Sequence, residues 1–147
     1  MPSVTATWPD LPIVHPAVLD TDVASLLHRS KLASPLATRL IGREPLITFV
    51  TYGELAKWAE IRHWGLRRRE GLAAWLSGIP VLPGDEPVAT IWGRLSAAAI
   101  RRGRPGPVND MWIAACCLAY EVPLATLNLK DYEDVKEYHG LRVLSAE

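Results

Sequence analysis

Oxygen-bearing side chains recur at the places where short apolar runs of this chain end. Asp20 closes "AVLD", Glu54 follows "PLITFV", Asp110 opens the segment after "RPGPV", and Asn128 and Asp131 follow "PLAT". No histidine or cysteine belongs to the set: His15, His28, His63 and His139 all fall outside these segments. A group of carboxylates without nitrogen or sulfur suits a hard cation such as Mg²⁺ or Mn²⁺. Brought together without one, the same carboxylates would repel each other and raise one another's pKa values.

Each acid also has a plain structural reading. Thr51 and Glu54 have the spacing of a capping box, in which the glutamate serves the helix it starts. Asn109 suits an N-cap, and Asp110 would then sit at the positive end of a helix. Asp22 is well placed to cap the helix that follows the first apolar run, or at most to support a neighbouring ligand. Asp20 resists this treatment, because an unpaired carboxylate at the end of a buried strand is costly.

The elements that must position these groups are legible as alternating patterns. "AVLD", "PLITFV", "IPVLP", "PLATLN" and "GLRVLSA" read as five short buried strands. Val23, Leu26 and Leu27 follow helical spacing after the first, and a short helix is expected from Pro35 to about Ile41. Two helical stretches divide near Gly65 and end at Gly78. Val88, Ile91, Trp92, Leu95, Ala98 and Ala99 form a helix stripe closed by Gly103. "NDMWIAACCLAYEV" is apolar almost all round, as a helix buried on most sides would be. Continuous apolar strands alternating with helices indicate an α/β domain with a central, mainly parallel five-stranded sheet flanked by helices. In such sheets a ligand lies outside the carboxyl ends of the strands, where the acids fall.

With 147 residues, one domain is expected, over 17–147, after an irregular proline-rich lead-in over 1–16. The two cysteines are adjacent, at Cys116 and Cys117, and can build neither a disulfide framework nor a metal site of ordinary spacing. A reducing, cytoplasmic location is the expectation. The N-terminal residues lack the charged and apolar regions of a signal peptide, and no apolar run is long enough for a membrane span. Net charge is zero, yet residues 62–104 hold eight arginines against Glu70, Asp85 and Glu86. That excess is either a solvated helix face or a phosphate-binding surface, to which the guanidinium fork is suited.

Taken together, "AVLDTDVASLL", "ITFVTYGELAKWAE", "NDMWIAACCLAYEVPLATLNLKDYEDV" and "GLRVL" make the chain resemble the PIN-domain family, in particular the VapC-type toxins of bacterial toxin–antitoxin pairs. The resemblance runs from Ala17 to Leu144 and is most specific in the "ND-x-W-I-A-A…PLAT-x-N-x-KDY" block. It implies a PIN-like α/β domain and a Mg²⁺- or Mn²⁺-dependent endoribonuclease with Asp20, Glu54 and Asp110 on the metal. Many relatives carry an aspartate where this chain has Asn128, so Asn128 would offer a neutral oxygen and Asp131 would act through water. Thr126 resembles the hydroxyl residue that lines such sites. Hydrolysis would leave 5′-phosphate and 3′-hydroxyl ends on an RNA substrate, whether tRNA, rRNA or mRNA. Arg62, Arg67, Arg68, Arg101, Arg102 and Arg104, with Trp58 and Trp64 nearby, would track its phosphates; core packing is the better reading for Trp92. The resemblance also implies a homodimer held inactive by a cognate VapB-type antitoxin. The chain itself has no DNA-reading motif.

Two other readings compete. "DTDVA" supplies the two aspartates of a haloacid-dehalogenase-type phosphatase but ends in Ala24, and the chain is small for that fold. A non-catalytic PIN-like scaffold that binds RNA or a partner is the second, suggested by Asn128.

Overall fold

The computed structural model describes residues 15–146. Five strands, β1 (Pro16–Leu19), β2 (Glu44–Thr48), β3 (Val81–Leu82), β4 (Leu124–Ala125) and β5 (Val143–Leu144), form one sheet in the order β3-β2-β1-β4-β5. Every pairing is parallel. The connections are helical: α1 (Thr21–His28) and α2 (Leu36–Arg39), then α3 (Phe49–Ile61) and α4 (Leu66–Ser77), then α5 (Glu86–Arg101) and α6 (Val108–Ala119), and last α7 (Leu129–His139).

Side-chain alternation along the strands explains why their sequences are apolar without a break. Val18, Leu46 and Leu124 enter one buried cluster, with Leu95 of α5, Ile113 and Cys117 of α6, and Tyr132 of α7. Their strand neighbours Leu19, Ile47 and Ala125 enter a second, with Val23 and Ala24 of α1 and Leu36 of α2. The sheet is therefore covered on both faces, and α6 is largely enclosed, with Met111 and residues 113–117 all buried. Trp92 stacks on Trp112 at 4.6 Å between ring centroids, against the first cluster, as expected for a core residue. Among the described residues no helix is long and apolar enough to cross a membrane.

The order of strands locates the site. The chain leaves β1 toward β2 on one side and returns to β4 on the other, so β1 and β4 flank a switch in winding direction. Crevices at such switch points, beyond the carboxyl ends of the strands, receive ligands in open α/β sheets. Asp20 follows β1 there, and Thr126 and Asn128 follow β4.

Several local expectations need correction. "PLITFV" is extended only to Thr48, and Phe49 and Val50 already belong to α3. The interval 129–139 carries no obvious stripe and no element is expected there, yet it forms α7, ended by Gly140 in the left-handed conformation (φ 76°). The lead-in expected for 1–16 lies outside the described residues but for His15 and Pro16, and Pro16 already opens β1.

Candidate active site

Asp20 is the N-cap of α1: its Oδ1 accepts from the Thr21 amide at 2.9 Å. Asp22, which sequence spacing assigns to that task, does not cap the helix; it lies in the first turn. The reason is that β1 stops at Leu19, so the last extended residue before the helix is Asp20 itself. Asp20 is only 5 % exposed. Its second oxygen, Oδ2, accepts from the hydroxyl of Thr126 at 2.9 Å, and that hydroxyl oxygen in turn accepts from the Asn128 amide at 3.0 Å. Burial raises the Asp20 carboxyl above its ordinary range, while the bonds from Thr126 and Thr21 pull it back.

Asp110 lies in the first turn of α6, whose N-cap is Pro107 and has no side-chain cap. Asn109 is thus inside the helix and does not cap it, because proline's fixed φ starts the helix earlier. Oδ1 of Asp110 accepts from the hydroxyl of Tyr132 at 3.2 Å. The Asp110 carboxyl is pushed up to about 6, chiefly by burial and then by the charges of Asp20 and Asp131; Tyr132 opposes this, and Glu54 adds to it. Four acids from α1, α3, α6 and α7 therefore share one electrostatic neighbourhood.

Glu54 reaches that neighbourhood from within α3. The helix begins after Thr48, whose hydroxyl accepts from the Thr51 amide at 3.3 Å, so the capping box expected of Thr51 and Glu54 does not form. Oε1 of Glu54 instead accepts from the Thr21 hydroxyl at 2.9 Å. Since Thr21 has one hydroxyl proton and gives it to the carboxylate, its 2.9 Å partner Thr51 must be the donor in their contact. A threonine relay thereby ties α3 to α1. On the other side Asn128 Nδ2 donates to Asp22 Oδ2 at 3.2 Å, linking the end of β4 to the first turn of α1.

Three of the acids sit at helix N-termini: Asp20 caps α1, and Asp110 and Asp131 lie in the first turns of α6 and α7. Positive helix ends lower the cost of gathering negative charge. The structural reading of an acid at a helix start and its role in a charged site are thus compatible.

The donor set consists of oxygen atoms, and the carboxyls of Asp20 and Asp110 are raised first by burial and then by neighbouring acids. That set fits Mg²⁺ or Mn²⁺ in its chemistry. Among the described residues, however, no three acid, histidine or cysteine side chains stand close enough to hold an ion by themselves. Mg²⁺ commonly keeps several waters and takes only one or two protein carboxylates, which this arrangement can provide.

Sequence reasoning does not single out Tyr132 or Thr21, and it offers Thr51 only as a helix cap. Tyr132 is fully buried, and its hydroxyl is raised well above its ordinary range by burial and by Asp20 and Asp110, so it stays a proton donor. Its "KDY" context gives it no role beyond the family pattern. The histidines lie elsewhere: His28 packs on Trp75, His63 turns the chain between α3 and α4, and His139 ends α7. Cys116 and Cys117 are free and buried, with both thiols raised, the first to about 12.

The arginines fall into two groups. Arg102 and Arg104 pair with Asp134 of α7, at 3.8 and 3.0 Å, and Arg69 pairs with Glu60 at 2.8 Å. Arg62 lies over the ring of Trp58 at 5.0 Å and Arg68 over Trp64 at 3.9 Å, neither with an ion-pair partner among the described residues. Arg67 and Arg101 are exposed.

Comparison with known proteins identifies the fold family. Residues 17–137 match the PIN domain. The chain is 31% identical over 115 residues to ribonuclease VapC5 of Mycobacterium tuberculosis, covering 74% of this chain and 80% of that protein. It is 28% identical over 126 residues to ribonuclease VapC1 of Haemophilus influenzae, covering 82% and 92%. Among solved structures, VapBC-5 of M. tuberculosis, a member of the VapBC family of toxin–antitoxin systems, superposes with a TM-score of 0.68 at 26% identity, covering 88% of this chain and 98% of that one. The phosphatase reading of Asp20 and Asp22 falls with these matches. A parallel sheet in the order β3-β2-β1-β4-β5, acids gathered at its switch point and a match across most of its length establish that the chain belongs to the PIN-domain family, with VapC ribonucleases among its relatives.

Proposed function

We propose that this protein is a VapC-type toxin: a cytoplasmic endoribonuclease, dependent on Mg²⁺ or Mn²⁺, that cuts RNA to 5′-phosphate and 3′-hydroxyl ends. The observation that carries the reading is the convergence of Asp20 and Asp110 from different elements, with Asp110 pushed up to about 6 by burial and its acidic neighbours. Such a charge concentration is stable as a binding site for a cation and is otherwise a liability. The names of the relatives as ribonucleases point the same way.

In this reading Asp20 and Asp110 hold the ion, with Glu54 next to them. Asn128 would offer a neutral oxygen and Asp131 would act through water; both are exposed. When bound, the ion supplies activation of water and stabilisation of charge on a phosphodiester attacked in line. The rest is the work of the chain. Thr126 and the Thr21 amide fix the two oxygens of Asp20, Tyr132 fixes Asp110, and Thr21 fixes Glu54. Each donor favours the ionised carboxylate, which is the form that binds a cation. Asp22 holds Asn128 in place. Among the described residues Arg62, Arg67, Arg68 and Arg101 have no carboxylate partner and can meet phosphate, whereas Arg102 and Arg104 are engaged by Asp134.

A cognate antitoxin and a homodimer complete the proposal, and the antitoxin rather than this chain would contact DNA. Solved structures of similar fold are VapBC complexes, one of them, from Rickettsia felis, bound to a DNA fragment from its promoter.

The test is cleavage of total bacterial RNA by antitoxin-free protein in Mg²⁺ or Mn²⁺, beside Asp110→Asn, with the ends mapped. Discrete cuts with 3′-hydroxyl ends, lost in the variant and in chelator, are expected. Folded protein that binds RNA or Mn²⁺ but never cuts would favour the non-catalytic scaffold, the reading that Asn128 suggests.

A further inference from the structure

Next to the carboxylates, on the side of α1 and α3, lies a cleft of about 330 Å³ whose walls include Asp22, Asn128, Arg29, Trp58, Arg62 and Leu127. Asn128 and Asp22, joined by a hydrogen bond at 3.2 Å, line one part of it. Arg29 and Arg62 bring the opposite charge to the same lining. Arg29 uses Nε for the carbonyl of Ser25, at 3.3 Å, and makes no ion pair among the described residues, nor does Arg62. Arg62 is held over Trp58 through the ring face, a contact that consumes none of its N–H donors. Two guanidinium groups with donors to spare thus face a cleft that opens directly beside an anion-processing site.

The same pairing recurs further along the surface. Arg68 lies over Trp64, and the proton affinity of His28, at the end of α1, is lowered after burial by the charges of Arg29 and then Arg68. Arg29, Arg68 and His28 therefore lie near one another, and the cationic wall continues beyond the cleft. Two arginine-on-tryptophan pairs, one of them lining the cleft beside the carboxylates, suit a ligand that carries several negative charges. A strand whose scissile phosphate lies at the acids must carry its neighbouring phosphates through the adjoining space.

Building on the ribonuclease reading above, we infer that Arg29 and Arg62 bind the phosphates adjacent to the scissile one in single-stranded RNA, and that Arg68 extends this path. Trp58 is a positioning residue: it holds the Arg62 fork with its N–H edge free for a phosphate. Leu127, which is 42% exposed, offers an apolar rim to the nucleotide.

The experiment measures binding of a labelled random-sequence RNA oligonucleotide to the full chain carrying Asp110→Asn, in Mg²⁺, across a range of salt concentrations. Adding Arg29→Gln and Arg62→Gln should weaken binding and reduce the magnitude of the log–log salt slope by about 1.4, at about 0.7 per lost phosphate contact. Removing equal charge with Arg94→Gln and Lys136→Gln should leave the slope unchanged. Trp58→Ala should weaken binding while Arg62 is present and add little once Arg62 is gone, and Trp58→Phe should restore it. An unchanged slope in the arginine variant, when its parent binds RNA, overturns this inference and leaves the ribonuclease reading standing. Failure of the parent to bind RNA at all overturns both. If the arginine variant keeps its RNA slope but loses binding to a polyglutamate peptide, the cleft is a protein-partner site and the inference is wrong.

Discussion

The buried hydroxyl of Tyr132 donates to Oδ1 of Asp110 at 3.2 Å, joining the start of α7 to the start of α6 across 22 residues of sequence. The bond fixes a carboxylate that its neighbours repel, and it stabilises the charged form against them. Tyr132→Phe keeps the ring in its cluster and removes only the donor. Mn²⁺ affinity, followed by calorimetry, should fall by about 10–100-fold, the range usual for groups that orient metal ligands. Affinity equal to wild type would mean that Tyr132 serves packing alone.

Asp110 also predicts how the metal-free protein responds to pH. Its folded pKa, about 6, lies above its ordinary 3.8. Between these values the folded state keeps a proton that the unfolded state has lost, so the contribution of this group is fully present below about pH 4 and is lost as pH rises through 6. Asp110→Asn mimics the protonated form. It should raise Tm at pH 7.5 in chelator by about 2–4 °C, corresponding to roughly 1 kcal/mol once solvent screening at this half-exposed site is allowed for. Its Tm should also vary less than wild type between pH 4 and 7. A lower Tm for the variant at pH 7.5 would contradict the crowding of acids described here.

Thr126 lies wholly inside the protein, where its hydroxyl serves Asp20 Oδ2 and the Asn128 amide at once. Thr126→Val is close in shape but leaves both groups without that partner. A loss of about 1–3 kcal/mol in urea unfolding is expected. Thr126→Ser, which keeps the hydroxyl, should recover most of it. Equal losses in the two variants would assign the effect to the missing methyl group instead.

Asn128→Asp puts two carboxylates where an amide now donates to Asp22 at 3.2 Å. In chelator this variant should melt below wild type, because one hydrogen bond becomes a repulsion. In saturating Mn²⁺ its Tm should rise by more than that of wild type, since binding to the folded state stabilises by mass action. Equal Mn²⁺ shifts in differential scanning fluorimetry would exclude position 128 from the metal site.

The positions of the acids at the ends of apolar runs are legible in the amino-acid sequence, because strand burial and helix periodicity are written in neighbouring residues. So are the five strands, their parallel arrangement, and the helices whose stripes are strong. Local spacing misleads about where helices begin. Asp22 and Glu54 both fit capping patterns, but α1 takes Asp20 as its cap and α3 starts three residues before the capping box would have it. Helix α7 escapes such a reading because seven of its eleven residues are charged or histidine, leaving Tyr132 and Val135 as its buried anchors.

By itself the sequence determined which residue types were available and the alternation that forces an α/β sheet covered on both faces. Only the tertiary structure decided the partnerships. Thr126 meets Asp20, and Asn128 meets Asp22, each across 106 residues, because β4 pairs beside β1 in the sheet. Nothing in a local window encodes such a contact, since strand order is settled by how the helices cover both faces at once. The same packing separates arginines held by Asp134 from those left facing the cleft, a distinction that depends on which acid each guanidinium meets in space.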